Sequence, residues 1–339
     1  MRVAILVGLA LGALPPAPAG AAHRLFSFRD ARVVESSGIV ASARRDGVFF
    51  THNDSGDSAR FFAVDRHGCT IGTFTATGVT ATDWEDIARG PGPALWLADI
   101  GDNAGARPEV AVHRFAEPRP GSCAAPVEQA LTPASFRLAY ADGPHDAETL
   151  LVAPRTGRLF VITKSFSGAG LYAAPTRLRA DAVNVLRRVA SVPSPVFATG
   201  GDIAPDGRSL VVRGYGELQV RRIRGGRVAS AFAAGAAVQA IPAPDAGRQG
   251  EGVAYTRAGD GLVTSSEGAH APAYLIPITP AAGRRTARAR PHRPAAAARG
   301  AGRVERRDPA AHGRALPTVV PAARALRTPS QDASSVLYV

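Results

Sequence analysis

Between Leu25 and Pro280 the chain alternates short apolar runs of four to seven residues, rich in Val, Phe, Ile and Leu, with turns of Gly, Asp, Asn and Pro. Runs this short, bounded by turn formers, predict strands. Gly47 to Thr51, Arg60 to Asp65, Ala94 to Ala98, Arg158 to Thr163, Ser209 to Arg213 and Gly261 to Thr264 are examples. Sustained helical periodicity is lacking, and only 127–131 and 181–189 read ambiguously. The expected class is all-β.

Many short strands build a sandwich, a barrel or a propeller, and internal repetition separates these. An acid followed by a small-residue or apolar strand recurs at Glu35, Glu85, Glu148, Asp202 and Glu251, with spacings of 50, 63, 54 and 49 residues. One four-stranded blade fits each interval. A second polar element follows each acid after an apolar run: His52-Asn53-Asp54, Asp99-Ile100-Gly101-Asp102-Asn103, Thr163-Lys164-Ser165, Arg213-Gly214-Tyr215 and Ser265-Ser266-Glu267. Two polar elements at matching places in five units predict a β-propeller over residues 23–280, with both elements at one end of its channel. If Leu25 to Phe28 completes the last blade, the ring closes at five. A sixth blade would have to come from 108–140 or from the tail.

The ends of the chain read differently. Arg2, the apolar run Val3 to Leu14 and the small residues Ala19-Gly20-Ala21 form a signal-peptide pattern over residues 1–22. The run is too short to span a bilayer and is closed by Pro15, Pro16 and Pro18. The expected location is therefore extracellular, and the expected mature form is a monomer without a membrane span. In that setting Cys69 and Cys123, the two cysteines of the chain, are expected to pair.

The formal charge of +12 changes the picture less than it suggests. Residues 281–339 carry twelve Arg against Glu305, Asp308 and Asp332, a net of +9, which leaves +3 for the rest. This Ala, Arg and Pro-rich tail reads as a disordered, solvated extension. The basicity is thus no argument for a nucleic-acid partner of the body.

Candidate chemistry is oxygen-rich. G-x-S-x-G, H-E-x-x-H, G-x-x-x-x-G-K and C-x-x-C are all missing, which removes the usual support for serine-hydrolase, zincin, nucleotide-binding and zinc-ribbon functions. Asp54, Asp57, Asp83, Glu85, Asp86, Asp99, Asp102, Asn103, Asp146, Glu148, Asp202, Glu251 and Glu267 gather at the predicted strand ends. Hard cations take six to eight oxygen ligands, so calcium is the candidate cofactor, with Glu35, Glu85, Asp99, Asp102, Asp202 and Glu251 as its expected ligands. Glu148, Lys164, Arg213 and His145 are the expected catalytic groups, with Glu148 as base and Lys164 or Arg213 as anion clamp. His52, Asn53, Asp54 and Asn103 are the expected binding residues. The competing structural reading has these acids capping turns or pairing with Arg, and Trp84 and Trp96 packing between blades.

The stretches THNDSGDSARFFAVD (51–65), DWEDIA (83–88), DIGDN (99–103), DGPHDAETLLV (142–152), GGDIAPDG (200–207) and QGEGVAY (249–255) resemble uncharacterised secreted β-propeller proteins of actinobacteria, over nearly all of 33–278. A looser similarity runs to the phytase-like propellers labelled for esterase-like activity, and more remotely to calcium-dependent β-propeller phytases. That similarity implies calcium held by acids at the channel mouth, where it binds phosphate and activates water. It implies hydrolysis of a small anionic or ester substrate, with one acid per blade at Glu35, Glu85, Glu148, Asp202 and Glu251. The alternative function is a non-catalytic scaffold that binds a ligand or an envelope protein, since one fold hosts many functions.

Overall fold

The computed structural model describes residues 20–278, apart from 166–167 and 194–196. The expected signal peptide lies outside the described residues up to residue 19, and the expected tail from 281 lies wholly outside them.

Strand β1 (His23–Ser27) comes first, and the rest fall into four-stranded antiparallel units. Unit 1 is β2 (Ser36–Ala41), β3 (Val48–Asn53), β4 (Arg60–Asp65) and β5 (Thr70–Ala76). Unit 2 begins with β6 (Trp84–Gly90), β7 (Ala94–Asp99) and β8 (Val110–Ala116). The chain then crosses back as β9 (Val127–Leu131), parallel to β5 on the outside of unit 1, before β10 (Ala134–Tyr140) completes unit 2. Unit 3 is β11 (Ala147–Val152), β12 (Leu159–Thr163), β13 (Ala169–Ala173) and β14 (Asn184–Val192). Unit 4 is β15 (Gly200–Ile203), β16 (Ser209–Arg213), β17 (Glu217–Arg222) and β18 (Val238–Pro242). Unit 5 is β19 (Gly250–Tyr255), β20 (Gly261–Ser266) and β21 (Pro272–Pro277), with β1 paired on β21 as its fourth strand. The N-terminal strand therefore completes the last unit. The ambiguous stretches at 127–131 and 181–189 are strand-forming, in β9 and β14.

The first strands of the units neighbour one another in a closed cycle, β2, β6, β11, β15, β19 and back to β2. Five apolar clusters fill the wedges between adjacent units. Trp84, Ile87 and Leu97 meet Phe50 and Phe61 between units 1 and 2, and Trp96 and Leu138 meet Leu150 and Val161 between units 2 and 3. Leu151 and Ile162 meet Leu210 and Val212 next, Val211 meets Val253 and Leu262 after that, and Ala254 and Val263 meet Ile39 and Phe62 to close the circle. This is a β-propeller, and both tryptophans pack between its units as expected. Every residue of β2, β11 and β19 is buried because both faces of an inner strand are covered, whereas outer β14 buries only Asn184, Leu186 and Val192. Cys69 and Cys123 are bonded, with Cα atoms 5.7 Å apart, and tie the β4–β5 turn to the crossover before β9. No helix among the described residues is long and apolar enough to cross a membrane.

One local feature sets up the channel mouth. The pairing of β2, β6, β11 and β19 with the next strand shifts register near the N-terminal end, between Ser36 and Gly38, Trp84 and Asp86, Ala147 and Thr149, and Gly250 and Val253. Strand β15 pairs evenly with β16, from Gly200 opposite Arg213 to Ile203 opposite Leu210. Bulges re-aim side chains, so four of the five inner strands turn an extra residue away from the ladder at the same end.

Candidate functional site

The bulge residues are Ser37, Glu85 and Glu148 in units 1 to 3 and Glu251 in unit 5. Glu85, Glu148 and Glu251 are 2 %, 4 % and 2 % exposed. Their carboxyl groups act on one another: burial first, and then neighbouring carboxylates, push Glu85 and Glu251 far above the ordinary glutamate range. Just before the bulges, Glu35, Asp83 and Asp146 stand at equivalent places. The backbone oxygens of Glu35 and Asp146 accept from Asp54 and Lys164 (both 2.9 Å), and that of Asp83 accepts from Gly101 (3.2 Å). The second-strand ends supply Asp54, Lys164 and Glu267 to the same rim.

Ligand atoms of Asp54, Asp83 and Glu85 lie within 4.8 Å of one another. Burial, reinforced by Asp54 and Asp146, lifts Asp83 to about 6. Burial also lifts Asp54, despite the pull of Lys164. Gly101 floors this nest: a Cβ there would sit 2.2 Å from Glu85 Oε1 and 2.4 Å from Asp83 Oδ2. Beside the nest the Lys164 ammonium pairs with Glu148 Oε1. Burial still outweighs that ammonium and keeps the Glu148 carboxyl above its ordinary value, while the ion pair holds Lys164 charged. Glu148 Oε2, Glu251 Oε2 and Asp54 Oδ1 are buried without a hydrogen-bond partner. Buried polar atoms are normally satisfied, so three orphaned carboxylate oxygens at one mouth mark a place built for positive charge. The donor set is all hard oxygen, which fits calcium or magnesium and not a thiophilic metal.

Other expected residues stand elsewhere. Asp202 falls one register position past the bulge glutamates. It is equivalent to Asp86 and accepts N–H groups of Ile203 (2.7 Å) and Tyr255 (2.9 Å), which joins β15 to β19. It is a strand staple, and burial raises it to about 6. Asp99 accepts Arg107 (2.7 Å) and the N–H groups of Thr82 and Asp83, and Asp102 accepts those of Ala106 and Arg107. Both acids hold the 99–107 turn, so their oxygens are committed and the expected ligand role is not met. Glu35 is exposed on the rim, outside the close triad.

Arg213 is fully buried and turned into the wall. It donates to Gly252 O (3.0 Å), Ser265 O (3.1 Å) and Asp245 (2.6 Å) over Gly250, where a Cβ would collide with the guanidinium. It is no anion clamp. His52 is packed edge-on against Trp84 at 5.9 Å, with Nδ1 bonded to Asn53 O, and burial lowers it to about 4. Asn53 spends its amide on Val34, Glu35, Arg32 and Asp57. Asn103 is exposed on the 99–107 turn. His145 lies between Tyr140 and Tyr172, with Nε2 3.1 Å from Asp142 and 2.9 Å from the Tyr172 hydroxyl, apart from the carboxylate nest. Of the expected site, the mouth gathers Glu85, Glu148, Glu251, Asp54 and Lys164. It adds Asp83, Asp146, Glu267 and Tyr215, whose phenol is raised by burial and feels Lys164, Glu148 and Glu251.

No family model matches the chain, and no curated sequence matches it, so the resemblance to phytase-like propellers rests on its motifs. Among solved structures, the PQQ-bound aldose sugar dehydrogenase of Streptomyces coelicolor is similar at 15 % identity and a TM-score of 0.45, over 78 % of this chain and all of that one. Hydrazine synthase of Kuenenia stuttgartiensis matches at 16 % identity and a TM-score of 0.36, over 70 % of this chain and 57 % of its own. U3-55K matches at 10 % identity and a TM-score of 0.36, over 72 % and 68 %. At these identities and scores the three likenesses say nothing about what this chain binds.

Proposed function

We propose that this is a secreted β-propeller whose mouth holds a hard divalent cation, calcium first, and uses it to hydrolyse a small anionic ester or phosphoester. What carries the reading is the close triad of Asp54, Asp83 and Glu85 beside buried, partnerless oxygens of Glu148 and Glu251. Asp54, Asp83 and Glu85 would hold the ion, and when bound it would supply Lewis-acid polarisation of an ester oxygen. The chain's own groups divide the remaining work. Lys164 offers an ammonium to the anionic part of a substrate. Glu148, lifted toward neutrality by burial, is suited to taking a proton from water with its open Oε2. Tyr215, kept protonated, can donate a hydrogen bond on the unit 4 side.

A second reading, a cation-stabilised scaffold that binds a ligand or envelope protein without turnover, is favoured by the withdrawal of Arg213 into the wall. The two separate on purified protein assayed with a panel of aryl esters and phosphoesters, in calcium and in chelator. Hydrolysis that needs calcium and falls at least a hundredfold in Glu148→Gln supports the enzyme. A calcium-dependent rise in melting temperature with no turnover on any substrate supports the scaffold, and calcium-independent melting overturns both.

A further inference from the structure

We infer that Lys164 is a tethered cation standing in the place of a second metal ion, so that the mouth takes up one divalent cation and not two. The inference rests on the cation-site reading above and asks how many ions that site holds.

The first observation is positional. Asp54, Lys164 and Glu267 each follow the second strand of their unit, and each donates its backbone N–H, at 2.9 Å, to the residue leading the facing inner strand: Glu35, Asp146 and Gln249. They are one structural position in three units. Units 1 and 5 fill it with an acid and unit 3 with a lysine. In unit 2 the N–H to Asp83 comes from Gly101, which has no side chain, and the second strand of the unbulged unit 4 ends in Arg213, turned into the wall against Asp245. Lys164 is thus the cation the second-strand ends bring to the mouth. It is also the single lysine of a chain that otherwise uses arginine throughout. An ammonium is a compact point charge on a flexible stem, closer to a metal ion in size and shape than a planar guanidinium is.

The second observation is what surrounds it. The ammonium pairs with Glu148 Oε1, and its field also reaches Asp54 and Glu267. Glu148 Oε2 and Glu251 Oε2 are buried without a partner, and the two carboxyl groups act on one another. Glu251 and Glu267 share the Gln249 amide, at 3.3 and 2.8 Å, and Glu251 is repelled by both Glu148 and Glu267. Asp54, Asp83 and Glu85 are the one close triad among the described residues, and without the ammonium Glu148, Glu251 and Glu267 would be three further hard-oxygen donors free to draw together around a cation. Six carboxylates suit two calcium ions. A fixed ammonium among three of them removes that second place, because a divalent ion entering there would meet like charge at contact distance.

Calcium stoichiometry on the chelator-stripped full chain tests this, by calorimetric titration and by native mass spectrometry. The wild type is expected to bind one ion, Lys164→Arg one, and Lys164→Met two. Acetylating the folded wild type removes the same charge without refolding, since no other lysine competes, and it too is expected to admit a second ion. One ion in the wild type and still one after both Lys164→Met and acetylation overturns the inference alone, as does a wild type that already takes two. A wild type that takes none overturns the cation-site reading and this inference with it.

Discussion

Glu85 and Asp86 are consecutive on β6, and both are buried carboxyl groups whose proton affinity is raised by burial. Asp86 accepts N–H groups from Ile87 and, across the unit boundary, from Leu150, each at 2.8 Å, and Asp202 does the same between units 4 and 5. Glu85, set off by the bulge, instead points at Asp54, Asp83, Glu148 and Glu251. Burial and a raised pKa therefore do not separate structural from functional acids in this propeller. Backbone donors from the next unit's inner strand separate Asp86 and Asp202, which receive them and staple strands, from Glu85, whose neighbours are other acids.

Breaking a staple should have the largest effect. Asp86→Ala or Asp202→Ala orphans two N–H groups in the inner ring and is expected to lower stability by about 4 kcal/mol, measured by denaturant melts. His52 sharpens the comparison from another side, since its Nε2 is also orphaned but lies in the wall against Gly38 and Trp84. Its folded pKa of about 4 lies below the unfolded value of 6.5. The unfolded chain thus binds the proton more tightly, and stability present above pH 6.5 is lost as pH falls toward 4, by ~3 kcal/mol. His52→Gln should flatten that limb of the pH–stability curve.

The mouth acids have the opposite sign. The folded pKa values of Glu85 and Glu251 lie above the unfolded value of 4.5, so the metal-free protein loses stability as pH rises through them. Melting in chelator should fall between pH 7 and 9, and calcium should abolish the fall. Glu85→Gln should raise stability in chelator by about 1 kcal/mol, because the metal-free fold must hold the wild-type carboxyl protonated among other acids whereas an amide needs no neutralising, while erasing the calcium response. The smallest change in fold stability is expected from Gly101→Ala, whose methyl first meets the side-chain carboxyl groups of Glu85 and Asp83, which can shift to make room. It should melt like the wild type in chelator and bind calcium at least tenfold more weakly.

The fold was legible because turn residues bound each strand and the paired polar elements repeat at blade length. Glu85, Glu148 and Glu251 were legible for the same reason. The register was not. A bulge inserts one residue without leaving a mark in composition, so Glu35, two places early, and Asp202, one place late on an unbulged strand, looked equivalent to the three bulge glutamates. Asp83, Asp146 and Glu267 belonged to the visible acid pattern but lay beside the chosen residues, and only the pairing brings them to the rim. Arg213 and Asn53 misled for another reason: a polar side chain at the end of an inner strand can turn inward to satisfy backbone groups, and the partners that draw it there, Ser265 and Gly252 or Val34 and Arg32, come from other strands and loops.

The central claim is that neighbouring acids divide into cation holders and strand staples, and calcium titration of Glu85→Gln against Asp202→Asn tests it most directly. The account predicts that Glu85→Gln stays folded and gives no binding heat, while Asp202→Asn melts lower but binds calcium as the wild type does. Calcium binding retained in Glu85→Gln, or lost in a folded Asp202→Asn, would contradict it.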